Sequence, residues 1–306
     1  MKTGVVIKST GSFYTVVTEN GCECVCGIRG KLRTEGFRTT NPLAVGDIVD
    51  LDDSVSPNVI TQIHKRRNYL IRKSTNLSKE SHIIAANVDQ VMIIVTLAFP
   101  ETSTVFIDRL LATAEAYRIR PLLVFNKIDI YPPEEMEAVN ALADVYRRID
   151  YPCFFTSAIT GIGVEEVRQA LTGETTVIAG LSGVGKSSLI NGIEPSLGLK
   201  TASISLSHLT GKHTTTFAEM FPLSGGGYII DTPGIRSFGV IDMEKEEMSH
   251  FFPEIFAFSS HCKYGNCSHT HEPGCAVTAA LQDGEIAESR YLSYLSMLED
   301  EGGKYR

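Results

Sequence analysis

Gly180-Leu181-Ser182-Gly183-Val184-Gly185-Lys186-Ser187, followed by Ser188, has the composition and spacing of a loop that wraps phosphate groups. Its glycines let backbone N–H groups curl around oxygen anions, and the start of the following helix favours negative charge. Lys186 is placed to reach the β- and γ-phosphates, and Ser187 to ligate Mg²⁺. Asp231-Thr232-Pro233-Gly234 lies some forty residues further on. There Asp231 would hold the magnesium through water, and the Gly234 N–H would meet a γ-phosphate. A third stretch, Asn126-Lys127-Ile128-Asp129, suits a guanine base. The Asp129 carboxylate accepts hydrogen bonds from a ring N–H and an exocyclic amine, which adenine does not offer together. A site that loses such a bond discriminates by about 10⁴–10⁵. Ser157 and Ala158 follow the next apolar run and fit a segment that buttresses the base.

These segments come in an unusual order. In an ordinary small GTPase the phosphate loop precedes the base reader, and here it follows by more than fifty residues. That order marks a circular permutation. The motifs still meet in space, because folded termini often lie close together. The permutation sends the chain after Gly234 out into a C-terminal appendage, so nucleotide-driven motion is wired to another domain.

Ras-like enzymes place a glutamine after the Asp-x-x-Gly segment to orient water. This chain has Ile235 there, which cannot hydrogen-bond. Gly211-Lys212-His213-Thr214-Thr215-Thr216 occupies the position of a first switch. Within it Thr215 is the candidate Mg²⁺ ligand and His213 the candidate catalytic group.

Cys262, Cys267, His269 and Cys275 fall within fourteen residues. Three thiolates and one imidazole suit a closed tetrahedral Zn²⁺ site, which points to one structural zinc. His261 and His271 are rival ligands. The seven cysteines do not pair off as a disulfide framework. Cys22, Cys24 and Cys26 alternate, which puts them on one face of a strand, read as small apolar residues rather than ligands.

The elements that must position these groups follow from periodicity. Residues 1–70 show short apolar runs broken by turn signals, as in a small β-barrel. From residue 82 onward, strand-like runs such as Val91–Val95 and Leu122–Phe125 alternate with helical spacing. That pattern predicts a parallel sheet wrapped by helices. Past Asp231 the chain turns Phe-rich, then Cys/His-rich, then helical. The reading is a multidomain α/β protein: a barrel over 1–70, a permuted P-loop GTPase domain over 71–239 and a zinc-binding helical domain over 240–306.

The formal net charge is −8, but residues 1–79 carry 12 Lys/Arg against 7 Asp/Glu. A locally basic module on an acidic chain can still bind a phosphate backbone. Lys65-Arg66-Arg67 with Arg72 and Lys73 is the candidate RNA contact, because residues 240–306 carry 12 Asp/Glu against 5 Lys/Arg. No run of 18 apolar residues appears, and Met1-Lys2-Thr3-Gly4 lacks a signal-peptide core. A cytoplasmic monomer with no membrane contact is expected.

Over essentially its full length the chain resembles the circularly permuted RsgA family, the bacterial GTPases that depend on the small ribosomal subunit. The resemblance rests on the motif order, Gly-Lys-His-Thr-Thr-Thr, Asp-Thr-Pro-Gly-Ile-Arg and the Cys-Cys-His-Cys cluster. It implies that the barrel is an OB-fold. It further implies GTP/GDP binding and docking on the small subunit and its rRNA late in maturation. Subunit-stimulated hydrolysis that uses His213, and release of other assembly factors, are also implied. Two rivals remain at this stage. One is a GTP-gated RNA- or protein-binding clamp with vestigial hydrolysis. The other is a metabolic or trafficking NTPase.

Overall fold

The computed structural model describes residues 2–10, 13–29, 42–73, 81–199, 218–231 and 243–299. In chain order its elements are β1 (Lys2–Ser9), β2 (Tyr14–Thr18), β3 (Glu23–Ile28), β4 (Ile48–Asp52), β5 (Asn58–Ile63), β6 (Tyr69–Lys73), β7 (Ser81–Ala86) and β8 (Gln90–Val95). Strand and helix then alternate through α1 (Thr104–Tyr117), β9 (Arg120–Asn126), α2 (Pro133–Arg147), β10 (Cys153–Thr156), α3 (Val164–Leu171), β11 (Thr175–Ala179) and α4 (Lys186–Ile193). The described chain closes with β12 (Glu219–Pro222), β13 (Tyr228–Asp231), α5 (Pro253–Ser259), α6 (Ala276–Gln282) and α7 (Glu288–Glu299).

The chain divides into two compact units. The first comprises Met1–Val91, Val164–Ile178 and Lys186–Ile235. Its first five strands pair in the order β1-β2-β3-β5-β4, and β4 returns to pair with β1. This closes a five-stranded barrel with no free edge, the strand order of an OB-fold. Alternation puts Val6, Tyr14, Val16, Cys26, Leu51 and Ile60 inside it. Outside the barrel, β1 also pairs with β12 at Lys8 and Glu219, and β12 pairs with β13, which is parallel to β11.

Of the basic stretch at 65–67, Lys65 and Arg67 are exposed, but Arg66 is turned inward and does not face solvent as an RNA contact would. Arg66 is nearly buried and donates from Nε and Nη2 to the two oxygens of fully buried Asp47, each at 2.6 Å. Arg67 reaches Asp89 at 2.5 Å with its own side chain still exposed. The guanidinium of Arg66 is therefore a structural cation, because a buried carboxylate requires a partner. Nor do the three alternating cysteines share the strand: Cys22 is exposed and precedes β3, whereas Cys24 and Cys26 bring their sulfurs to 3.6 Å.

The second unit comprises Met92–Gly163, Ala179–Gly185 and Arg236–Arg306. In it β10, β9 and β8 are neighbours, and β9 and β10 run parallel. All six residues of β8 are buried, as expected of a strand covered on both faces. Ser103 caps α1 by accepting from the Phe106 N–H. The C-terminal helices share a core, with Phe252, Ile255, Val277, Ile286 and Tyr294 packed together with Ala112 of α1.

A buried ionic group ties α7 to α1. Arg290, 1% exposed, donates to Asp108 Oδ1 at 2.7 Å and to Glu254 at 2.7 and 3.2 Å, and stacks over the Phe252 ring. Burial opposes the Arg290 charge, but Asp108 and Glu254 outweigh it and hold the guanidinium above its ordinary value. One cation then faces two carboxylates, and burial pushes the Asp108 carboxyl up. No helix among the described residues is long and apolar enough to cross a membrane.

Candidate functional site

Residues 179–185 of the phosphate loop belong to the same unit as the base-reading segment. Asn126, the last residue of β9, is 1% exposed. Its side-chain amide donates to the Val184 carbonyl at 2.8 Å, and its carbonyl oxygen accepts from the Thr156 hydroxyl at 2.9 Å. One side chain thus joins the base-reading turn, the strand that leads to Ser157-Ala158, and the phosphate loop. Asn126 braces these three segments through one amide N–H and its carbonyl oxygen, and its second amide N–H is a further donor at the same place. Asp129 is exposed in a 3-10 turn over Ile128–Ile130.

The loop's glycines fit their places closely. Gly180, Gly183 and Gly185 have φ of +140°, +89° and +93°, a region L side chains rarely adopt. A Cβ at Gly180 would stand 2.4 Å from the Ile94 carbonyl oxygen, and one at Gly185 would stand 2.5 Å from Asn126 Nδ2. The loop is therefore drawn tight against β8 and β9, with Val184 buried and Ser182 and Gly183 exposed. Leu181 is half-buried. Lys186, Ser187 and Ser188, all half-buried, form the first turn of α4 directly after the loop.

Ser157 is buried, and its hydroxyl accepts from the Thr160 N–H at 3.1 Å; Ala158 beside it is half-buried. A further wall went unread in the sequence. Residues 96–102, between β8 and α1, form a turn whose Leu97 and Ala98 N–H groups donate to the Tyr131 hydroxyl at 2.9 and 3.3 Å. Lys127 Nζ donates to the Phe99 carbonyl at 2.5 Å. No motif flags this turn, since its bonds run to backbone atoms. Asp231 ends β13. His213, Thr215 and Gly234 lie outside the described residues.

The structure brings all four cluster residues together. One ligand atom from each of Cys262, Cys267, His269 and Cys275 lies within 4.8 Å of the others. His261 and His271 are not in the group; their Nδ1 atoms face Ser260 and Thr270 hydroxyls instead. A tetrahedral ion with Zn–S of about 2.3 Å and Zn–N of about 2.05 Å requires S···S near ~3.8 Å and S···N near ~3.5 Å. The Cys262–Cys275 sulfurs are 3.9 Å apart, and each is 3.6 Å from His269 Nδ1. The donor set therefore fits Zn²⁺.

Burial lowers the His269 pKa, which favours the neutral imidazole that metals bind. Burial also pushes the Cys267 thiol up to about 12. At Cys275 burial acts the same way but is outweighed by hydrogen bonds from Thr278, so that thiol lies below its ordinary value. The loop is held by an outer layer of bonds. Tyr291 and Tyr294 donate to the His269 and Ser268 carbonyls at 2.7 and 2.9 Å. Glu272 accepts from the Ser268, Thr270 and His271 N–H groups. Burial opposes the Glu272 charge, yet these bonds hold its carboxyl well below the usual range.

Comparison with known proteins agrees over the whole chain. The RsgA GTPase family model matches residues 63–241, and the RsgA N-terminal domain model matches residues 3–57. A Phocaeicola vulgatus protein named small ribosomal subunit biogenesis GTPase RsgA is 57% identical over 305 residues, covering 99% of this chain and 98% of that one. A Bacteroides fragilis protein of the same name is 56% identical over the same shares. Among solved structures, YjeQ from Thermotoga maritima superposes with a TM-score of 0.81 at 38% identity, covering 97% of each chain. YloQ, described as a circularly permuted GTPase, gives 0.78 at 32% identity, covering 99% of this chain and 96% of that one.

Proposed function

The chain belongs to the RsgA GTPase family, and on that premise we propose that it hydrolyses GTP while docked on the maturing small ribosomal subunit in the cytoplasm. Turnover then releases the protein and other assembly factors. The observation that carries this reading is the Asn126–Val184 bond, which ties the base-reading turn to the phosphate loop despite their inverted order. Asp129 reads guanine, with Lys127, Ile128, Ser157 and Ala158 around the base. Residues Gly180 to Ser188 cradle the phosphates, with Lys186 offsetting their charge. Ser187 and Thr215 are the protein ligands for Mg²⁺, which neutralises charge on the β- and γ-phosphates when bound. Asp231 and Gly234 sense the γ-phosphate. One Zn²⁺ on Cys262, Cys267, His269 and Cys275 holds the C-terminal module, and its role is structural because four protein ligands close the site. The working modules are 1–70, 71–239 and 240–306.

Ile235 cannot orient water, so His213 takes that part: it aligns a water for attack on the γ-phosphorus as GDP leaves. Docking on the subunit brings it into place, a step worth about 10³–10⁵ in rate for supplied groups of this kind. The test is GTP turnover at rising small-subunit concentration, with single-turnover rates for His213→Ala. Strong stimulation that collapses in the variant, with basal turnover unchanged, is the expected result. Subunit binding without stimulated turnover would leave a GTP-gated clamp. Neither binding nor stimulation would leave an unrelated NTPase.

A further inference from the structure

Phe99 sits where local physics disfavours it. Its φ is +53°, in the left-handed region where a bulky side chain is an outlier. The residue is 81% exposed, so packing within the protein returns little. Glycine or asparagine would suit the backbone and the solvent better. Outliers of this kind gather at ligand sites, where the surroundings over-determine them.

The surroundings here are the two walls of the nucleotide pocket. On the base side, Lys127 Nζ is bonded to the Phe99 carbonyl, and Lys127 is itself left-handed at φ +65°. Tyr131, which follows the Asp129 turn, holds the N–H groups of Leu97 and Ala98. On the phosphate side, Pro100 abuts the phosphate loop: a Cβ at Gly183 would stand 3.3 Å from Pro100 Cδ. Phe99 is therefore strung between the base-reading segment and the phosphate loop. In a nucleotide, the group between base and phosphates is the ribose.

We propose that Phe99 is a nucleotide-contacting residue whose ring closes over the ribose of the bound guanine nucleotide. The inference rests on the GTP-binding reading above and adds a contact that none of its motifs contains. The ring shields the sugar from water and narrows tolerance for groups attached to the 2′- and 3′-hydroxyls. Because the contact is to the nucleoside, it serves GTP and GDP alike.

Calorimetric titration of the full chain with GTP, GDP and 2′/3′-O-anthraniloyl-GTP in Mg²⁺ tests this, using wild type, Phe99→Ala, Phe99→Gly and Phe99→Tyr. The expected result is a loss of about five- to fifty-fold in affinity for GTP and GDP together in the Ala and Gly variants, the scale of one aromatic burial. Tyr should retain wild-type affinity, and the penalty for the sugar-modified nucleotide should shrink when the ring is removed. Phe99→Gly is the sharpest variant, because glycine relaxes the left-handed backbone. If the ring had no ligand, that variant would bind GTP as tightly as wild type or tighter, and the proposal would be overturned. Weakened small-subunit association with unchanged nucleotide affinity would also overturn it. Wild-type protein that fails to bind GTP would instead sink the functional reading, a separate outcome; Lys186→Ala is the non-binding control.

Discussion

The turn carrying Asn126 and the knuckle carrying His269 are both held by buried polar groups, but the bonds are of different kinds. Around Asn126 both side-chain partners are neutral and supplied by the chain, a hydroxyl and a carbonyl, with glycines letting the backbone close in. Such a pocket wall keeps its shape before any ligand arrives. The knuckle gathers three thiols and an imidazole around one point. Its thiols become ligands only as thiolates, and thiolates at van der Waals contact repel one another until a cation sits among them. The first region is preorganised by the fold, whereas the second gathers a donor set that a cation would complete. The barrel shows the first principle on a larger scale, since its closed hydrogen-bond ladder and apolar filling need nothing from outside.

Metal removal should break the comparison most violently. Structural zinc contributes apparent binding energy of about 10–16 kcal/mol in small domains. Cys267→Ser, or a strong chelator, should therefore release near one equivalent of zinc and unfold the C-terminal helices, while the barrel and GTP affinity survive. Hydrogen exchange reads both regions at once. Metal-free protein with full protection in α6 and α7 would contradict the account.

Arg290→Met should come next. It leaves Asp108 and Glu254 buried without their cation, a cost of about 3–5 kcal/mol for breaking a buried pair. Thermal unfolding should fall accordingly, and Asp108→Asn should recover part of the loss because it removes one stranded charge. An unchanged melting temperature would mean that these ion pairs are not desolvated in solution.

Asn126→Ala should do least, though it acts at the centre of the pocket. It strands the Val184 carbonyl and the Thr156 hydroxyl, a cost of about 1–3 kcal/mol for a group that stays buried and less for the loop carbonyl, which can turn to water. GTP affinity should drop more than global stability, since the loop loosens without unfolding. Equal protection of the loop amides in variant and wild type, before GTP is added, would remove Asn126 as the brace.

How much of this was legible in the sequence depended on the range of the interaction. The phosphate loop, the base-reading segment and the four cluster residues are local patterns whose residue types follow from their chemistry, so spacing alone gathered them. The barrel was readable from alternation, and its closure by β4 on β1 matches the strand order implied by resemblance. Arg66 was misread because a basic run looks the same whether it faces RNA or a buried Asp47 nineteen residues earlier. Arg290 was hidden in an acidic tail, and its partner Asp108 lies 182 residues away. The Phe99 turn escaped because it is held through backbone atoms, which leave no mark on residue type.

The central claim is that segments in inverted order build one guanine-nucleotide pocket, with Asp129 as its reader. Asp129→Asn tests it most directly. The carboxylate accepts from both the ring N–H and the amine of guanine, whereas an amide presents a donor to that amine. Xanthine carries a carbonyl at that position, which the amide can meet. Equilibrium binding of GTP, ATP and xanthosine triphosphate to both proteins should show wild type preferring GTP, on the scale of about 10⁴–10⁵ that such pairing can supply, and the variant preferring xanthosine triphosphate. A variant that keeps the wild-type preference for GTP would show that Asp129 does not read the base.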